Sequence, residues 1–354
     1  MDLEKIPQGL YFNSQKHFDY IKYMLKKIFS SIICSGLFFV PCKSQVITDS
    51  LANDFRSFAA KHFSRYRTVN LFWETKSTHD YILKLGGKEI EQGKRKDLHT
   101  IKFSTMIPII TLKKISLYAN VKYDCYKSES HNNDTQSAVF TTDTYNFYEG
   151  GLNGAYYMSL FNKPFILSAN IALDGWDRGF GKLQARLSAM MVIVKKPNIN
   201  FSAGIIGMSL FDGMPIMPLI TYWYRFSNPN WSVDIIFPSQ FYLRYQMRTQ
   251  RFSIGSSLSR ESFYLKTNLK EMPETCYYSD AVLKPEIHYE YIINKHFFLF
   301  THVGLSIGTK SGLYNKNRKS IKVKEGKNEV EQIFKQKRSP IPFINFGVSY
   351  SLFK

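Results

Sequence analysis

The chain has 354 residues, with 47 Lys+Arg against 28 Asp+Glu, a formal charge of +19, and 16% aromatic residues. Four cysteines without a C-x-x-C spacing support neither a disulfide framework nor a zinc site. Past residue 44 no run of 18 apolar residues occurs, which excludes a transmembrane helix; a spanning structure would have to be a closed barrel.

Residues 1–23 show no sustained apolar period and no helix caps. The next segment, 24–44, reads MLKKIFSSIICSGLFFVPCKS and has the layout of a cleavable secretory signal. Lys26 and Lys27 form a basic start, Ile28 to Val40 an apolar run, and Pro41 breaks it. Thirteen residues of helix cover about 20 Å, short of the roughly 30 Å of a bilayer core. Cleavage is expected between Ser44 and Gln45, with Met24 as the true start. Lipidation at Cys42 is disfavoured by the bulky Pro41 before it. Removing residues 1–44, with six basic and three acidic side chains, leaves +16. For an exported chain the matching polyanion is a phosphorylated lipid surface rather than nucleic acid.

Residues 45–78 read as a periplasmic leader. Ser50 could cap a short helix placing Leu51, Phe55, Phe58, Ala59 and His62 on one side. Such a helix would pack at a barrel mouth or enter the lumen as a plug.

From residue 79 to 354 the dominant period is two, the strand signal. Leu183, Ala185, Leu187, Ala189, Met191 and Ile193 alternate with Lys182, Gln184, Arg186 and Ser188. Leu283, Ile287, Tyr289, Tyr291 and Ile293 alternate with Lys284, Glu286, His288 and Glu290. Short connections rich in Asn, Pro and Lys alternate with longer ones at 89–97, 127–145, 174–181, 211–215, 271–280 and 310–340, the asymmetry of outer-membrane barrels. The expected fold is all-β, an antiparallel transmembrane barrel of about 14 strands, with twelve as the alternative. Its strands are placed at 79–88, 98–109, 115–126, 146–161, 164–175, 182–195, 198–210, 216–226, 230–237, 240–248, 251–270, 281–293, 297–309 and 341–353. A soluble β-sandwich would also alternate, but its strands are usually five or six residues long. Aromatics near segment ends (Tyr222-Trp223-Tyr224, Trp231, Phe237, Tyr277-Tyr278, Phe297-Phe298) suit interfacial girdles.

The final stretch, Phe346 to Lys354, resembles the terminal strand by which outer-membrane barrels are recognised for assembly, with Lys354 after the aromatic as a departure. More broadly, residues 100–353 resemble outer-membrane barrel proteins of unassigned function from Bacteroidota, most clearly at Pro215-Ile216-Met217-Pro218, Trp231 to Pro238 and Leu243-Arg244-Tyr245. The resemblance implies a barrel in the outer membrane and brings no activity.

No G-x-S-x-G, H-E-x-x-H or P-loop pattern occurs, and no cofactor is expected. A rim hydrolase would need His288 or His302 beside Ser253 or Ser306. The inward polar set is Arg186, Arg225, Asp234, Arg244, Arg248, Arg251, Lys284, Glu286, His288 and Glu290. It reads either as a pore lining, leaning toward anions, or as a self-satisfied network in an occluded lumen. Expected partners are outer-membrane lipid, lipopolysaccharide facing the ten basic residues of 310–340, and the barrel-assembly machinery. Cys125 and Cys276 are placed at the outer ends of strands, where pairing is open.

Overall fold

The computed structural model describes Phe58 and residues 67–132, 135–141, 144–209, 216–269, 272–325, 328–331 and 333–352. The signal, the cleavage pair Ser44 and Gln45, and all of the leader helix except Phe58 lie outside these residues.

Fourteen antiparallel strands close into one barrel, as the alternation implied, and not twelve. The first, β1, runs in two segments, Val69–Lys76 and His79–Leu85. Then come β2 (Lys88–Thr111), β3 (Ile115–Asn132), β4 (Thr144–Leu160), β5 (Lys163–Trp176), β6 (Gly179–Lys196) and β7 (Ile199–Met208). The rest are β8 (Ile216–Arg225), β9 (Trp231–Phe237), β10 (Gln240–Gln246), β11 (Gln250–Lys266), β12 (Thr275–Ile292) and β13 (Phe297–Asn315). The last, β14, is again split, into Phe334–Arg338 and Ile341–Tyr350. Closure is made by β1 on β14, with Val69 opposite Tyr350 and Phe334 opposite Leu85.

Several boundaries differ from the sequence reading, mostly on the side of the longer loops. Strand structure begins at Val69, so the first strand crosses the expected 78/79 boundary of the leader. Residues 89–97 are strand, and the reversal sits at Gly86-Gly87, whose φ of 55° and 87° suit glycine. The segment 174–181 is a tight hairpin with Trp176 opposite Gly179. The 310–340 segment continues β13 to Asn315, adds a small hairpin (Lys322–Glu325 with Asn328–Glu331) and starts β14 at Phe334. One cause covers these differences: strands rising beyond an apolar outer band have no lipid face to satisfy, so their sequence loses the period of two.

Wall height is uneven. β9 and β10 have seven residues each, whereas β11, β12 and β13 have 17, 18 and 19. β10 accompanies β11 only as far as Ser257. Above Leu258, no described strand pairs with β11 on that side, and it leans across the interior instead. Tyr264 stacks on Trp176 of β5 at 4.3 Å and donates a hydrogen bond of 2.7 Å to Asp174. The upper storey therefore closes by side-chain packing on the inner face of β5.

That storey is filled. Tyr81, Leu83, Tyr126, Phe140, Tyr145, Phe263, Leu265, Tyr278 and Phe334 form one buried cluster with Cys276. Phe263 stacks on Tyr145 at 4.4 Å, and Phe140 meets Tyr278 edge-on at 5.5 Å. Burying such side chains contributes about 1.5–3 kcal/mol each, so this cap stabilises the strands that rise above the band.

The outward faces below it are apolar: Leu187 is 65% exposed, Ile287 57% and Ile205 54%. At the short-turn end, Trp231 packs on Tyr245, Phe252 on Tyr289 and Phe297 on Tyr350. Trp223, Tyr277, Tyr278 and Phe298, expected in the girdle, are buried instead. Cys125 and Cys276 are both free thiols.

Candidate functional site: a closed ionic interior

The row of inward side chains on β12 shows how the interior is built. Even-numbered residues face inward, and from the long-loop end they read Cys276, Tyr278, Asp280, Val282, Lys284, Glu286, His288 and Glu290, all buried. The first two belong to the cap. Five of the next six are ionisable, and each meets a partner from a neighbouring or facing strand.

Nearest the cap, Arg338 lies 2.6 Å from Asp280. In the next layer Lys284 Nζ donates to both oxygens of Glu74, at 2.8 and 2.7 Å. Lys76 bridges Glu74, at 3.6 Å, and Glu261. Glu286 accepts from the Tyr242 hydroxyl and, at 2.9 Å, from the Ser257 hydroxyl, with His302 Nδ1 at 3.2 Å from its second oxygen. In the lowest layer Glu290 is clasped by Arg67 at 2.6 Å and Arg251 at 2.9 Å. The Arg67 guanidinium also lies 3.7 Å over the Phe298 ring. Beside this column Arg244 donates twice to Asp234, which also accepts from Gln240. A separate group joins Arg318 and Gln184 to Asp174.

Of the ten side chains read as inward from the sequence, Asp234, Arg244, Arg251, Lys284, Glu286, His288 and Glu290 are buried in this interior. The other three differ. Arg186 is half-exposed, 3.6 Å from Glu149. Arg225 sits at the short-turn end and donates to the Pro197 carbonyl, while Arg248 is exposed in the turn after β10. A turn residue has no face to alternate with, so extending the strand period through it misplaced Arg248. Sequence reasoning missed Arg67, Glu74, Lys76, Glu261, Asp280, Arg318 and Arg338. Glu74 and Lys76 carried a signal, since they alternate with Trp73 and Thr75 on β1. Arg318 and Arg338 lay among the loop cations, and nothing local marks them as buried.

The charge balance of the interior also departs from expectation. Among the described residues, the buried set holds seven Lys and Arg, eight with the Arg338 side chain, against nine Asp and Glu, so it has no cationic excess. The basic surplus of the chain is at the surface. Burial of so many charges is tolerated because most are ion-paired, while Glu91 accepts from the Tyr81 hydroxyl and the Ala138 amide and Arg95 donates to Ser128.

His288 and His302 are brought together, with ring centroids 3.8 Å apart. The hydroxyls of Ser253 and Ser306 are buried and hydrogen-bond to neither ring. The nucleophile-to-base contact of a hydrolase is therefore missing, and both histidines lie beneath the cap. No group of three or more His, Cys, Asp or Glu suited to a metal ion occurs among the described residues. Phe58, the described residue of the expected leader helix, stands edge-on to the inward Trp223 at 5.4 Å and packs against Ile236. That contact puts one side chain of this segment on the inner wall.

No family model matches the chain, and no curated protein matches it. Among solved structures it is similar to an outer membrane channel from Pseudomonas putida F1 (8% identity, 80% of this chain and 95% of that one, TM-score 0.34). It is also similar to the transport unit of the autotransporter AIDA-I from Escherichia coli (11%, 85% and 97%, TM-score 0.29) and to the P. putida toluene transporter TodX (9%, 80% and 89%, TM-score 0.29). The likeness goes no further than barrel architecture and assigns no activity.

Proposed function

We propose that the chain is a non-enzymatic β-barrel of a bacterial outer membrane, a transport-type barrel held shut at rest. The location is supported by the apolar outer band, the aromatic pairs at its lower edge and the strand pairing that runs unbroken around the wall within that band. The observation that carries the closed state is the cap: an apolar cluster drawn from β1, β3, β4, β11, β12, β13 and β14 fills the interior at the long-loop end. Fourteen strands enclose more space than the eight that side chains fill on their own. The column of ion pairs occupies one wall of that space, and Phe58 stands on another. A passage would open when the cap loosens, and the balanced interior charge gives it no built-in preference for anions.

The exposed lysines of the upper rim, Lys310, Lys316, Lys319, Lys335 and Lys337, would face the phosphates of lipopolysaccharide. Arg318 and Arg338 of the same segment are already committed to Asp174 and Asp280.

Proteoliposome swelling tests the reading. Vesicles carrying the wild-type barrel should exclude a pentose, and vesicles carrying Tyr278→Ala should admit it. Rapid swelling with the wild type would refute the closed state. Exclusion by both would favour a purely structural barrel.

A further inference from the structure

The two ends of the barrel differ in charge. The six short connections, Thr111–Lys114, Leu160–Lys163, Lys195–Asn198, Arg225–Asn230, Gln246–Gln250 and Ile292–His296, carry eight Lys and Arg and no Asp or Glu. All eight except half-buried Arg225 are exposed. At the other end the signs mix, with Asp177 beside Arg178 and Glu274 paired to Lys266.

Next to this cationic rim the outer wall is hollowed. An open apolar trough of about 1020 Å3 crosses β2 to β8 on the outward face. It follows the pairing direction: Ile115 opposite Tyr156, Tyr156 opposite Leu167, Leu167 opposite Ala189, and Ala189 opposite Ile205. Small residues set its depth. A Cβ at Gly154 would meet nothing nearer than the Ser116 carbonyl at 4.0 Å. One end of the trough is lined by Ile110 and Ile115, which flank the turn bearing Lys113 and Lys114. Lys163 opens β5, directly after the next short turn.

We propose that this trough binds an anionic phospholipid, its acyl chains in the trough and its phosphate held by Lys113, Lys114 and Lys163. The assignment rests on the membrane-spanning reading above. In hydrocarbon no water can fill a hollow lined mainly by Ile, Leu, Ala and Gly, with four serines among them, so an acyl chain is the matching filler. Exposed ammonium groups at the end of the trough match a negatively charged headgroup. A second copy of the chain is the poorer occupant, because it would bring its own cationic rim against this one.

The test uses delipidated, folded protein in detergent, titrated separately with phosphatidylglycerol and phosphatidylcholine and observed by native mass spectrometry. Wild type should retain phosphatidylglycerol several-fold better than phosphatidylcholine. The combined variant Lys113→Gln, Lys114→Gln and Lys163→Gln, altered only at exposed positions, should lose that preference. Ala189→Trp, which fills the trough, should weaken retention of both lipids. Equal retention by wild type, or a preference unchanged in the triple variant, would overturn the assignment. So would a dimer that forms in place of lipid adducts. Flotation with phosphatidylcholine vesicles reports separately on the membrane reading: a barrel that floats but shows no lipid preference contradicts the site alone.

Discussion

Within the row of inward side chains on β12, chemistry changes over the length of two residues. Tyr278 belongs to an apolar packing of rings, while Lys284, Glu286, His288 and Glu290 belong to a column of paired charges. Both regions fill interior space, and they fail differently. An apolar cluster loses contact area and gains a cavity when one member is cut back, and its neighbours can partly collapse into the gap. A charge stripped of its partner keeps its full desolvation cost and has no recourse. The cap is thus the part of the interior that can loosen gradually, and the ionic column the part that must stay whole.

The largest effect should come from the column. Glu74→Ala leaves Lys284 with only the more distant Glu261, at 3.9 Å, and removes one of the two carboxylates of Lys76, with an expected loss of about 3–5 kcal/mol in urea unfolding of the detergent-solubilised barrel. Combining Glu74→Leu with Lys284→Met should recover more than half of that loss, because the uncompensated ammonium group is gone. If the double replacement is as damaging as the single one, the column is held by packing and not by charge, and the contrast with the cap disappears.

A smaller loss, of about 3 kcal/mol, is expected for Phe140→Ala in the cap. Phe140 meets the rings of Tyr81 and Tyr278 and lies under the Arg95 guanidinium at 4.2 Å. Because this residue does not pair with the column, the effects of Phe140→Ala and Glu74→Ala should add within about 0.5 kcal/mol.

The smallest change is chemical. Burial in the cap pushes the Cys276 thiol up to about 12. Only the thiolate reacts with alkylating reagents, and at pH 8 the folded protein holds this thiol protonated. Labelling at Cys276 should therefore stay slow from pH 7 to 9 and become fast only on unfolding, as read by mass spectrometry of the modified peptide. Fast labelling of the folded protein at pH 8 would show an accessible upper interior.

Much of the barrel was legible because a lipid-facing wall imposes a strict rule on sequence. The alternation of Leu183 to Ile193 and of Leu283 to Ile293 identified β6 and β12 directly, and the Asn, Pro and Lys turns counted the hairpins. Beyond the apolar band that rule lapses. Residues 88–97 carry Glu91 and Arg95 inward, and their partners, Tyr81, the Ala138 amide and Ser128, lie on other segments. No local pattern announces such pairing. The interior was half legible for the same reason: alternation gives a face, so Glu286 and Glu290 were assigned inward, but partners such as Arg67 for Glu290 come from across the closure. The packing that closes the upper storey, Tyr264 of β11 on Trp176 and Asp174 of β5, accompanies the shortness of β9 and β10. A strand-by-strand reading saw those lengths without the geometry that gives them meaning.

Whether the cap seals the lumen is measured most directly by single-channel recording in planar bilayers. Wild-type barrel should give no steady conductance at moderate voltage, and Tyr278→Ala should give discrete, reproducible steps. Steady ohmic steps from the wild type, unchanged by that substitution, would contradict a cap that closes the barrel.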